Sequence, residues 1–211
     1  MYLRHSFRVG DDYNNNWENT VYICESGALD HWIPFVYDGY TPISAISFDS
    51  GKSYFVTDAI ITGADTLRIS YMANANCNVV GSYASGGDEN YSIYHSATAY
   101  IRYDGILKRP SLSHNVRYDM IMSPTGLNDG TTQLSTWEEK DFTCAEPLWI
   151  GMLPNSNVSS LSGVIYGNVE LDGKFLGIPY IRNSDSAIGY YDVYTDYFYE
   201  NEGNGTISAI L

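Results

Sequence analysis

In "DTLRISYMA" the apolar positions Leu67, Ile69 and Tyr71 alternate with Arg68 and Ser70. "TAYIRYDG" keeps the same two-residue period: Ala99, Ile101 and Tyr103 face away from Tyr100, Arg102 and Asp104, and the run stops at Asp104-Gly105. In "HNVRYDMIM" Val116, Tyr118, Met120 and Met122 alternate with Arg117, Asp119 and Ile121. A period of two predicts strands with one buried and one wet face, which is the pattern of antiparallel sheets and not of βαβ units. Helix signals are nearly absent, because Ala-Leu-Glu-Lys runs are few and turn residues recur too often for three-turn helices. The turn punctuation falls at Asp49-Ser50-Gly51, Ser85-Gly86-Gly87-Asp88, Asn128-Asp129-Gly130, Asp172-Gly173 and Asn204-Gly205. Short strands between such turns predict an all-β sandwich or barrel. The antiparallel β-sandwich is the expected fold, because it holds many strands in one domain of this length.

A break in the pattern at "VYDGYTPISA", where Gly39 and Pro42 interrupt it, divides the chain into residues 1–42 and 43–211. In the first part "DDYNNNWEN" is polar and turn-like, while "TVYICESG" and "HWIPFVYDG" read as a small hairpin with Trp17 and Trp32 nearby. About 40 residues bury little surface alone. This small N-terminal β module is therefore expected to lean on the sandwich, on a symmetry mate or on a larger assembly.

Composition sharpens the picture. With 44% hydrophobic and only 17% charged residues the chain is far from the signature of disorder. Its net charge of −14 repels phosphate backbones, which argues against nucleic acid as a partner. Cys24, Cys77 and Cys144 are widely spaced and odd in number, and read as free thiols of a protein made in a reducing cytosol. No run reaches the ~18 apolar residues of a membrane helix. The start "MYLRHSFRVGDDY" lacks the apolar core of a secretory signal, so its glycosylation sequons carry no weight.

The C-terminal stretch "GNVELDGKFLGIPYIRNSDSAIGYYDVYTDYFYENEGNGT" resembles the end of concanavalin A-like, LamG-like β-sandwich domains of bacteriophage structural proteins. The matching pieces are Asp172-Gly173, Pro179 with Arg182, Gly189 to Asp192, Phe198-Tyr199, and Gly203 to Thr206. "LWIGMLPN" resembles the Ile-Gly strand before this element, and "AISFDSGKSYFVTDAIIT" the opening strand pair, in which the first strand leads into a short apolar hairpin. The resemblance implies a concanavalin A-like jelly roll over residues 43–211 and a non-enzymatic virion protein, either a head fibre or capsid decoration or a tail adsorption protein. It further implies synthesis in the host bacterial cytoplasm and display on the virion surface. Residues 1–42 would then anchor the chain to other capsid or tail proteins, in a homo-oligomer such as a trimer, and the sandwich would meet a host-surface glycan or receptor without inserting into a membrane. A glycan-processing enzyme and a free carbohydrate-binding module are the alternatives on the same fold.

Residues 187–206 hold six aromatic rings. Tyr191, Phe198 and Tyr199 are expected in the core, since a bulky ring buries some 150–250 Å². Tyr190, Tyr194 and Tyr197 fall on the expected exposed side and are the candidate ligand contacts. No catalytic residue is assigned. "VELDGKF" supplies Glu170 and Asp172 of a glycosidase-type carboxylate set, but no third carboxylate follows, and Asp172-Gly173 reads as a turn. Glu138 and Glu139 of "WEEKD" are adjacent, so on a strand they would point to opposite faces. His5, His31, His95 and His114 show no metal-ligand spacing, and no nucleophile elbow or phosphate loop occurs. No cofactor is expected, with calcium left open as an alternative at the loops of Asp88, Glu89 and Asn90 and of Asp185.

Overall fold

The two-residue period builds strands and no helix among the described residues, which are 39–50, 52–83, 90–154 and 160–211 of a computed structural model. Residues 1–38, with His5, Cys24 and His31, the Ser85–Asp88 turn and Glu89 lie outside them. In chain order the strands are β1 (Tyr40–Pro42), β2 (Ala45–Ser50), β3 (Phe55–Thr62), β4 (Leu67–Ala73), β5 (Cys77–Ser82), β6 (Tyr91–His95), β7 (Tyr100–Tyr103), β8 (Ile106–Lys108) and β9 (Arg117–Ser123). They continue with β10 (Gly126–Asp129), β11 (Thr132–Thr136), β12 (Thr143–Ile150), β13 (Gly163–Leu171), β14 (Phe175–Arg182), β15 (Ile188–Asp192), β16 (Tyr197–Glu200) and β17 (Thr206–Ile210).

The strands form two antiparallel sheets packed as a sandwich. The larger runs β11-β10-β9-β4-β13-β14-β15-β16, with β1 added to β14, β2 to β13 and β17 to β2; the smaller runs β3-β12-β5-β6-β7-β8. β13 is where the larger sheet forks. One side of it meets β4 along its length, while the other meets β2 over Gly163–Tyr166 and β14 over Val169–Leu171. The fork coincides with a register shift at which Gly167 turns to φ 60 and donates its N–H to the Ser44 carbonyl at 2.8 Å. β1 pairs with the far half of β14, so the sandwich sheet already includes Tyr40–Pro42, a few residues before the expected boundary.

The alternation read from the sequence is visible in burial. Leu67, Ile69 and Tyr71 are fully buried and Arg68 is half-exposed, but Ser70, expected on the same face as Arg68, is buried as well. Asp104 and Gly105, at φ 43 and 73, make the two-residue turn that joins β7 to β8. Met120 and Met122 are buried, but Val116 lies before β9 and is exposed. Core tyrosines are tied down by backbone carbonyls: the Tyr91 hydroxyl donates to Met122 at 2.6 Å and the Tyr103 hydroxyl to Gly63 at 2.8 Å.

Three expectations are corrected. β2 and β3, read as an opening strand pair, do not pair with each other but lie in opposite sheets, so that Phe48 and Phe55 meet edge-on across the core at 6.0 Å. Glu138 and Glu139 are on no strand; they are exposed in the connection from β11 to β12. Tyr190 is not on the exposed side: it is fully buried, with its ring edge-on to Phe55 at 5.1 Å. The reason is that β15 lies between β14 and β16 and both its faces are covered. Tyr190 enters the main core together with Tyr199, while Tyr191 and Phe198, on the opposite face, join Tyr180 in a second cluster against Tyr40 and Ile178. Strands covered on both faces lose the wet–dry alternation that separates surface from core. The core assignment of Tyr191, Phe198 and Tyr199 holds, since all three are buried.

Candidate functional site

The terminal strand of each sheet borders the same gap. β16 ends the larger sheet and β3 the smaller one, and between them lies a cavity of about 450 Å³ lined by Val56, Thr57, Asp58, Tyr197, Phe198, Tyr199, Glu200 and Glu202. Tyr199 closes its inner side, where its hydroxyl donates to Asp58 Oδ1 at 2.6 Å and so links the two sheets. Burial, reinforced by that hydrogen bond, pushes the Tyr199 phenol up to about 12, so the hydroxyl keeps its proton at neutral pH. Tyr197 leans edge-on against Tyr199 with ring centres 4.8 Å apart, and at 58% exposure it is the most open aromatic side chain described. The groove thus offers an aromatic surface whose orientation is fixed from behind, rimmed by the carboxylates of Asp58, Glu200 and Glu202.

Glu200 is held by Arg182, whose guanidinium contacts it at 2.7 Å and lies over the Phe198 ring at 5.2 Å. The same guanidinium takes Asp185 at 2.5 and 3.0 Å. Together with the Ala187 N–H it holds the Asp185 carboxyl down at about 2, so the carboxylate considered for calcium is committed to an arginine. Asn90, the other described member of that set, is buried. Among the described residues no group of three or more His, Cys, Asp or Glu side chains is placed to hold a metal ion.

The three candidate tyrosines are not brought together. Tyr197 lines the groove, Tyr190 is in the core, and Tyr194 sits at 36% exposure on the turn between β15 and β16. That turn is built by buried Asp192. Its Oδ1 accepts from the N–H groups of Leu176 at 2.9 Å and Tyr194 at 3.2 Å, and its Oδ2 accepts from the Thr195 hydroxyl at 2.7 Å. Tyr194 is not among the residues that line the groove. Partial burial, with the charges of Glu170, Asp192 and Asp172, pushes its phenol up to about 12.

Glu170 and Asp172 do lie side by side. Arg68, the cross-strand partner of Glu170 on β4, forms ion pairs with both. Burial raises the Glu170 carboxyl, Arg68 opposes the shift and Asp172 adds to it. Asp172 is in the β13–β14 turn with Gly173 at φ 66, as its sequence suggested.

Two features were missed in the sequence. Asp58 was passed over inside an apolar strand, "FVTDAIIT", where a lone outward carboxylate was the available signal. His95 and His114, 19 residues apart and read as isolated, have ring centres 5.4 Å apart. Buried His95 is lowered to about 4, chiefly by burial and further by His114. Cys77, its cross-strand neighbour, is a buried free thiol pushed up to about 11 by burial, and Cys144 is buried as well. No protein-family model and no curated protein sequence matches the chain.

Proposed function

We propose that this chain is a non-enzymatic bacteriophage virion protein whose β-sandwich binds a host-surface glycan in the groove between β3 and β16. The observation that carries the binding reading is the Tyr197–Tyr199–Asp58 arrangement: an open ring braced by a second ring, with carboxylates around it. A sugar presents an apolar C–H face to stack on such a ring and hydroxyls that donate to carboxylates, and tyrosine provides this contact at low conformational cost. The virion assignment rests on the resemblance of the C-terminal stretch to concanavalin A-like domains of phage structural proteins. In this reading the sandwich is displayed from a head fibre, a capsid decoration or a tail adsorption protein, and the residues of the 1–42 segment that precede β1 join it to other virion proteins in a symmetric oligomer.

The test is titration of the purified chain with host-surface polysaccharide fragments. Tyr197→Ala is expected to weaken binding about tenfold, equivalent to about 1.4 kcal/mol, as for a central aromatic contact. Tyr194→Ala, outside the groove, should leave binding unchanged. Full binding by a folded Tyr197→Ala variant sinks the groove assignment. Immunogold labelling of purified virions tests the location separately, and absence of label on particles sinks the virion reading.

A second reading, a glycan-processing enzyme, is favoured by one observation: Glu170 and Asp172 lie together against Arg68, and burial raises the Glu170 carboxyl. Release of reducing sugar that disappears in Glu170→Gln would establish it. An inert wild-type protein would remove it.

A further inference from the structure

At one end of the sandwich the loop from β4 to β5, the end of β6 and the connection from β8 to β9 come together. His95 closes β6 there with its side chain turned into the interior, fully buried. Its Nδ1 meets the Tyr71 hydroxyl at 3.2 Å, while its Nε2 is buried without a hydrogen-bond partner. His114, exposed on the connection, places its Nε2 at 3.1 Å from Asn76 Oδ1. An amide oxygen only accepts, so this nitrogen carries the proton and Nδ1 carries the lone pair. Each imidazole therefore has one nitrogen at a protein oxygen, and the second nitrogen of His95 is buried without a partner.

With the His95 Nδ1–H donating to the Tyr71 oxygen, this is the arrangement of metal-ligating histidines, whose second nitrogen is oriented by an oxygen partner. The spacing fits as well. Two imidazoles sharing one zinc ion through bonds of about 2.0–2.1 Å have ring centres roughly 5–6 Å apart. The rings here are 5.4 Å apart and tilted by 36°. A lone buried nitrogen without a partner costs stability, and a shared cation would satisfy it together with its neighbour.

We propose that His95 and His114 form a binding site for a divalent transition-metal ion of the zinc type, held between His95 Nε2 and His114 Nδ1 with water completing the coordination. Imidazole nitrogen selects zinc, copper or nickel over calcium and magnesium, which take oxygen ligands. His114 is exposed and His95 buried, so the ion would approach from the His114 side.

The experiment is thermal unfolding of the full-length chain, free of any affinity tag, with and without zinc. Zinc should raise the melting temperature of the wild type, and a chelator should reverse the rise. His114→Ala, at an exposed position, should keep the metal-free melting temperature and lose the zinc response. Asn76→Ala, which removes the oxygen orienting His114, should shift the zinc midpoint about tenfold to higher concentration. No response of the wild type at millimolar zinc overturns the site. An equal response in His114→Ala overturns it too, because the ion would then bind elsewhere, His5 and His31 included.

Discussion

Replacing Tyr190 with phenylalanine should stabilise the protein, although it deletes a polar group from the densest aromatic region of the chain. The Tyr190 ring is fully buried between Phe55, edge-on at 5.1 Å, and its strand neighbours Pro179 and Tyr199. Its hydroxyl has no hydrogen-bond partner, and burial pushes its ionisation far above the ordinary phenol range. A buried orphan hydroxyl costs about 1–3 kcal/mol in lost hydration. Removing it leaves a void of one oxygen, and at ~24 cal/mol per Å³ this returns a few tenths of a kcal/mol. The balance is a gain of about 1–2 kcal/mol, or roughly 2–8 °C in Tm for a domain of this size. The assay is urea unfolding, read as an increase in midpoint at constant m. Tyr190→Ala is the contrast, with an expected loss of about 3–5 kcal/mol from the cavity left by the ring. A Tyr190→Phe variant less stable than the wild type would refute the reasoning, because the hydroxyl would then be bonded, for example to a buried water.

Gly163 opens β13 at φ 150 between the backbones of β2 and β4, and a Cβ there would fall 2.0 Å from the Met72 carbonyl oxygen. Gly163→Ala should therefore cost about 3 kcal/mol or more in the same urea assay, and a near-native midpoint would show that the three strands do not close as described. Tyr199 gives a signature at alkaline pH. Between the ordinary phenol value near 10 and its raised value of about 12 the unfolded chain releases this proton while the fold keeps it, so stability falls as pH rises through that window. Tyr199→Phe should flatten the fall, and equal slopes in the two proteins would contradict the raised ionisation of this buried phenol.

The strand pattern was legible where one face of a strand is wet. Leu67, Ile69 and Tyr71 announced β4, and Asp104-Gly105 and Asp172-Gly173 announced their turns, because each depends on local chemistry alone. What the sequence hid depends on long-range pairing. Tyr190 and Tyr191 are both buried, one on each face of β15, and no local signal tells a strand covered twice from one covered once. The separation of β2 from β3 was hidden for a similar reason: a strand followed by a short turn and another strand reads the same whether the chain folds back in its own sheet or crosses to the other. The groove was half legible. Tyr197 stood out as an exposed ring, but Asp58 reaches Tyr199 across 141 residues of sequence.

The crowding of rings in residues 187–206 follows from the position of β15 and β16 at the end of a forked sheet. A terminal strand has no neighbour to cover its outer side, so its aromatic side chains must supply the cover on both faces. Tyr199 does so inward and Phe198 outward, each in contact with a different cluster. Tyr197, last in line toward the turn, shares the inward side with Tyr199 but is left open by the described residues, where β3 ends the smaller sheet. The packing that secures the edge thereby leaves one ring held and uncovered. The glycan binding proposed for this place would require no reordering of the fold, since Tyr199 and Asp58 already fix the wall against which a ligand would settle.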